Sequence, residues 1–219
     1  MKDSTVERLW NGMICFGLSV LVLLFSFFFS TLLLAAHDHS YAGMDVLAMS
    51  FFTLLTSFVM LRLAKSLKLF SFDLKFLTKK NIQIIFLGLG FVLLLSFAEI
   101  VLVNQHVIVE SSSDSFASQF LSKAPPLIIL PFSVIFTPIM EEVIFRGGII
   151  GLVFKDKMLL GVIVSSLIYS LVGLSGGVFN WLLCIGTNVV LGISYAKTKR
   201  LEVPIIIKMI AVLFVALSI

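Results

Sequence analysis

Seven apolar runs separated by short polar or basic segments account for almost the whole chain: Met13 to Ala36, Met44 to Ala64, Ile82 to Val103, Leu127 to Phe154, Leu159 to Leu174, Val178 to Ala196 and Val203 to Ile219. Most approach the ~20 residues an α-helix needs to cross hydrocarbon, where only internally bonded backbone is tolerated. The expected fold class is therefore all-α, a polytopic bundle of about seven transmembrane helices. The first run is longer than the apolar stretch of a cleavable leader and lacks an obvious small-residue cleavage site, so it is expected to remain as an anchor. The fourth run is the exception to the pattern. At 1.5 Å per residue it reaches ~42 Å against a ~30 Å core, so it must tilt, protrude or break, and Pro131 and Pro138 mark where a bend would fall. The organisation divides into residues 1–126, three spans with a polar loop from Asn104 to Pro126, and a helical core over residues 127–219.

Composition agrees with the pattern. Hydrophobic residues make up 59% of the chain and charged ones 13%, with a mean hydropathy of +1.14, which excludes an ordinary soluble domain. The net charge of +4 would suit nucleic acid, but the basic residues sit in short loops between apolar runs, so no nucleic-acid partner is expected. Alternating the loops across a bilayer puts Lys2, Arg8, Arg62, Lys65, Lys68, Lys75, Lys79, Lys80, Arg146, Lys155, Lys157, Lys197, Lys199 and Arg200 toward one side, 14 of the 16 basic residues. That asymmetry predicts a multi-pass protein of the cell membrane with a cytoplasmic amino end and an outer carboxyl end. The stretch from Lys65 to Asn81 reads as a basic, partly amphipathic connector lying on an anionic membrane surface. Cys15 and Cys184 read as small packing residues within apolar runs.

Candidate chemistry concentrates in the fourth run, where Glu141, Glu142 and Arg146 lie inside an apolar segment. A charge in hydrocarbon costs at least ~2.5–3.5 kcal/mol on insertion scales, so intramembrane carboxylates generally serve a purpose. Glu142 and Arg146 are four apart and face the same way, which suits an ion pair. Glu141 is rotated by about 100° and is free to point elsewhere, available to polarise a water or bind a metal. Three readings stay open for the cluster: a buried structural ion pair, residual catalysis or metal binding, and a substrate or ion path.

Glu141-Glu142-x-x-x-Arg146 followed by Gly147 resembles the first motif of the CAAX-protease and bacteriocin-processing (CPBP, or Abi) intramembrane metalloproteases. Tyr169 resembles the aromatic of the second motif, but Gly173 stands where a His is expected four residues on. Gly186 to Thr198 is similar to the family's sixth-helix tail, after which Lys208 and Val212 fall at the positions of a His-x-x-x-Asn/Asp motif. The resemblance implies an intramembrane endopeptidase acting on membrane-associated peptides or protein tails, with Glu141 as base or ligand, Glu142 as its partner, Arg146 as their orienter and zinc as the expected cofactor. With no His after His106, the resemblance implies a degenerate member, weakly active or inactive. Its alternative is a pseudoenzyme that scaffolds a membrane protein or cell-envelope enzyme, or confers immunity to a bacteriocin peptide. In either case Lys208 would place its ammonium where a cation would have been and neutralise Glu141 or Glu142. The His37-Asp38-His39 loop and His106 are weaker metal candidates, and Asn180 and Asn188, eight apart, read as interhelical hydrogen bonders.

Overall fold

The computed structural model describes residues 2–38, 43–71, 73–107, 124–172 and 177–218. His39, Lys123 and Gly173 lie outside the described residues, as do the side chains of His37 and Asp38. The described residues form seven helices and no strand: α1 (Lys2–Asp38), α2 (Gly43–Ser66), α3 (Lys79–Asn104), α4 (Pro126–Val153), α5 (Met158–Val172), α6 (Val178–Thr198) and α7 (Glu202–Ser218). Five of them, α1, α2, α3, α4 and α6, contain stretches long and apolar enough to cross a membrane. The 15 residues of α5 and the 17 of α7 reach only ~22 and ~26 Å, short of a ~30 Å core. The protein is thus a multi-pass helical bundle, in which two of the seven expected runs form shorter helices.

The fourth run resolves its excess length by changing its winding. Within α4, ordinary α-helix at Pro126–Leu130 and Thr137–Glu142 alternates with π-helix at Pro131–Phe136 and Val143–Val153. Proline lacks an N–H and its ring crowds the carbonyl four residues back, so a wider turn relieves Pro131 without a sharp break. The second π segment closes when the Phe154 amide donates to the Ile149 carbonyl, five residues back, at 2.9 Å. The bend expected at the prolines is therefore a change of helical pitch.

α4 is the hub of the bundle. Met140, Val143 and Ile150 on α4 are buried with Met60 of α2 and Tyr195 of α6. Gly148 and Gly151 permit the closest approaches: a Cβ at Gly148 would stand 2.7 Å from Cys15 Sγ of α1, and one at Gly151 would stand 2.4 Å from the Tyr195 hydroxyl. Asn11 of α1 donates to the Leu152 carbonyl at 3.0 Å, and Lys155 pairs with Glu7, fixing the other end of the same contact.

The stretch between α2 and α3 is two-sided: Lys65, Lys68, Lys75, Lys79 and Lys80 are exposed, and part of its apolar side packs inward. α2 ends at Ser66, Lys68 turns the chain with φ 61°, and a short 3-10 turn at Leu74–Phe76 precedes α3. Leu69 and Phe76 are buried against the bundle, leaving Leu74 and Leu77 exposed. Thr78 then caps α3 by accepting from the Asn81 amide at 3.2 Å.

This segment is also clamped to the α6–α7 turn. Arg200 Nη2 donates to Asp73 Oδ1 at 2.7 Å, to Ser71 Oγ at 2.6 Å and to Glu202 Oε1 at 3.1 Å. Ser71 donates to Glu202 Oε1 through both its amide and its hydroxyl, at 3.2 and 3.1 Å. Just before it, Lys199 adopts the left-handed conformation that ends α6, its amide bonded to the Tyr195 carbonyl at 2.7 Å. The clamp thereby sets where α7 begins.

The hydrogen bond from Arg200 holds the Asp73 carboxyl below the usual carboxylate range. A depressed folded-state pKa contributes stability that is complete above the unfolded value, ~3.9, and is lost as pH falls through the lower folded value. Asp73→Asn is therefore expected to lower the unfolding temperature by a constant amount through the neutral and mildly acidic range. The difference from wild type should close only below about pH 4, as read by thermal unfolding of the detergent-solubilised protein across pH.

Candidate functional site

Glu141 and Glu142 fall in the α-helical segment of α4 between its two π segments, and Arg146 in the first turn of the second. Glu142 is fully buried, with a side-chain exposure of 0%, whereas Glu141 retains 25%. The pair is thus split by its environment, as the ~100° rotation between consecutive helical positions requires.

The i,i+4 pair forms: Glu142 Oε1 lies 3.1 Å from Arg146 Nη1. Arg146 is anchored from α6, its Nη2 donating to Asn188 Oδ1 at 2.7 Å and to the Asn188 carbonyl at 3.2 Å. Asn188 is oriented in turn by donating to the Cys184 carbonyl at 2.8 Å. An arginine bound on both sides loses little freedom per bond, which suits it to a buried pair.

The second half of the cluster comes from α5 and α7. Tyr169 donates its hydroxyl proton to Glu141 Oε2 at 2.8 Å. Lys208 forms a close ion pair with the same oxygen. Its ammonium also lies 3.7 Å from Glu142 Oε1, 3.4 Å from the Tyr169 hydroxyl and 4.8 Å from the centre of the Tyr169 ring. Phe145 meets Tyr169 edge-on at 4.9 Å, and Ser165 of α5 donates to the Phe145 carbonyl at 2.9 Å, tying α5 to α4 beside the cluster.

Four charges from two helices, α4 and α7, thus converge: two carboxylates and two cations, which sum to zero. Lys208 stands at the carboxylates, as its alignment with a missing ligand suggests. Glu141 differs from the expectation of a free carboxylate, being engaged by Lys208 and Tyr169 at one oxygen. The other candidates are not part of the cluster. His106 is exposed beyond the end of α3, with φ 57°, and the His37–His39 loop and Gly173 lie outside the described residues.

The residues present do not fit a zinc ion. Structural and catalytic zinc sites take three or four neutral imidazole, thiolate or carboxylate ligands. Among the described residues no group of three or more His, Cys, Asp or Glu is placed to hold a metal. The ammonium contacting both glutamates supplies a positive charge where a cation would bind, and it would repel one. Glu142 Oε2 and Arg146 Nε are buried without a hydrogen-bond partner among the described residues, leaving one acceptor and one donor for a further polar group.

Reasoning from sequence did not find the Tyr169 hydroxyl contact or the specific role of Asn188, which it treated only as an interhelical hydrogen bonder. The eight-residue spacing of Asn180 and Asn188 was the available signal, and it does not distinguish which of the two meets an arginine.

Residues 123–214 match the family model for Rce1-like type II CAAX prenyl endopeptidases. That region carries all four charged residues of the cluster, and the match agrees with the motif resemblance at Glu141, Glu142 and Arg146. No curated protein and no solved structure matches the chain.

Removing the ammonium leaves a carboxylate buried and uncompensated, which typically costs about 3 kcal/mol or more. Lys208→Met is therefore expected to lower stability by roughly that amount. Combining it with Glu141→Gln should recover much of the loss, because one uncompensated charge goes with the other. Thermal unfolding of the two single variants and the double variant in detergent measures the coupling; strict additivity would show that the pair contributes nothing.

Proposed function

We propose that this protein is a non-hydrolytic, membrane-embedded relative of the Rce1-like endopeptidases, which binds membrane-associated peptides or protein tails and does not cleave them. The match of residues 123–214 to the family model supports that class of molecule as the one recognised. The observation that carries the loss of hydrolysis is the position of Lys208, whose ammonium contacts both glutamates. Glu142 is held by Arg146 and Glu141 by Lys208 and Tyr169 at one oxygen, so an ammonium stands beside both carboxylates where an attacking water would have to be activated. A metal-activated water is disfavoured for the reason given above, the donor set being two carboxylates and an ammonium.

In this reading the cluster is a structural lock that keeps α4, α5, α6 and α7 in the arrangement an endopeptidase would use to admit a tail. The amino end faces the cytoplasm, as the distribution of basic residues indicates. The binding partner is a membrane protein, a cell-envelope enzyme or a bacteriocin peptide. Retention of the whole Glu-Glu-x-x-x-Arg motif supports the competing reading, an active endopeptidase with unfamiliar ligands.

Metal content and cleavage of a membrane-tethered peptide library separate the two. Wild type is expected to hold no stoichiometric zinc and to cleave nothing. Gly173→His combined with Lys208→His, which returns imidazoles to the motif positions and removes the ammonium, is expected to gain zinc. Stoichiometric zinc and cleavage in wild type, both abolished by Glu141→Gln, would overturn the proposal.

A further inference from the structure

A second feature lies on the other side of α6 from the charged cluster, where α3 and α6 pack antiparallel. Gly186 of α6 stands against Leu95 of α3, and Val190 against Gly88. Following that register for two further turns brings Lys197 level with the basic start of α3 at Lys79 and Lys80. Between the two helices runs a groove of about 330 Å³. Ile84, Leu87 and Phe91 of α3 and Val190 and Ile193 of α6 form its apolar walls. Gly88 lies at its base, where a Cβ would come within 2.8 Å of Ile207 of α7.

The lining is graded along its length. Val190 and Phe91 mark the apolar end, and Ser194 and Lys197 the polar one, ~10 Å away by the helical rise. Lys197 is exposed and has no ion-pair partner among the described residues, in contrast to Arg146, Lys155, Arg200 and Lys208, each of which meets a carboxylate. An apolar slot open at a cationic rim, at the basic end of two membrane-spanning helices, is complementary to an amphiphile with an apolar chain and an anionic head.

We propose that the groove between α3 and α6 is a binding site for an anionic phospholipid, one acyl chain lying along Ile84, Leu87, Phe91, Val190 and Ile193 and the phosphate held by Lys197. Charge decides between occupants. A neutral chain or a zwitterionic lipid fills the apolar walls but leaves the ammonium without a counter-charge. An apolar helix from a second copy would cover Lys197 without pairing it. Basic rims between helices at an anionic leaflet gain about a fivefold preference per lysine from that attraction. The site is separate from the glutamate cluster, and the proposal does not depend on whether the protein hydrolyses peptides.

Native mass spectrometry of the full-length protein released from nanodiscs of equal phosphatidylglycerol and phosphatidylcholine tests this directly. Wild type is expected to retain phosphatidylglycerol in preference. Lys197→Gln should reduce that preference roughly fivefold without changing retention of phosphatidylcholine, and Lys197→Arg should keep it. Leu87→Trp, which narrows the slot from an exposed position, should lower retention of both lipids. Equal retention of the two lipids by wild type would overturn the proposal, as would a preference unchanged in Lys197→Gln. A lipid-free dimer as the dominant wild-type species would show that a second copy occupies the groove instead.

Discussion

Charge compensation in a place without water is the constraint on which this structure turns. Glu142 and Arg146 are completely enclosed, and no solvent shares their field. Each buried ion costs several kcal/mol to desolvate, and the attraction between partners offsets that only where geometry and further hydrogen bonds are good. Asn188 and Lys208 supply that completion from two other helices. The cluster therefore acts as a selection rule on the bundle: only an arrangement that delivers α6 and α7 to the same face of α4 leaves no charge alone. Apolar packing in a membrane discriminates weakly, because lipid is as good a partner as another helix. Directional polar contacts supply the discrimination here.

The winding of α4 serves the same end. In a regular α-helix the glycines at 147, 148 and 151 would follow a fixed stripe. The π segment from Val143 to Val153 changes that phase. Arg146 then faces α6, while Gly148 meets Cys15 of α1 and Gly151 meets Tyr195 of α6. Local departures of this kind are often retained where side chains must be aimed. In this chain they aim a guanidinium and two close helix contacts from one continuous segment.

How much of this was legible in the sequence depended on range. The helical class, the boundaries of the apolar runs and the Glu142–Arg146 pair are encoded within a few residues of one another, and periodicity alone recovers them. The excess length of the fourth run was visible, and Pro131 marked its first irregular stretch, while the longer one at Val143–Val153 begins beyond both prolines. Its π character was not visible, because winding depends on how neighbouring helices crowd the turn. Lys208 lies 67 residues from Glu141, and it was linked to the glutamates only through a motif position, not through any local pattern. The clamp of Ser71, Asp73, Arg200 and Glu202 joins residues up to 131 apart and left no trace in the sequence, since each member reads as an ordinary loop residue. The burial of Leu69 and Phe76 in the connector is of the same kind, since nothing near them in the chain shows which apolar residues the bundle covers.

The charges carried by α7 have a consequence for how the protein is made. A segment with a glutamate in its first turn and a lysine six residues later partitions poorly into hydrocarbon by itself. It also emerges after α4 during synthesis, when α4 has already brought two carboxylates and one arginine into the membrane. The surplus negative charge of α4 and the surplus positive charge of α7 cancel only on contact. Membrane integration of α7 is therefore coupled to assembly of the bundle. A chain arrested before α7 would carry an unneutralised glutamate in the bilayer, the kind of exposed polar signal by which quality-control machinery distinguishes unfinished membrane proteins from finished ones.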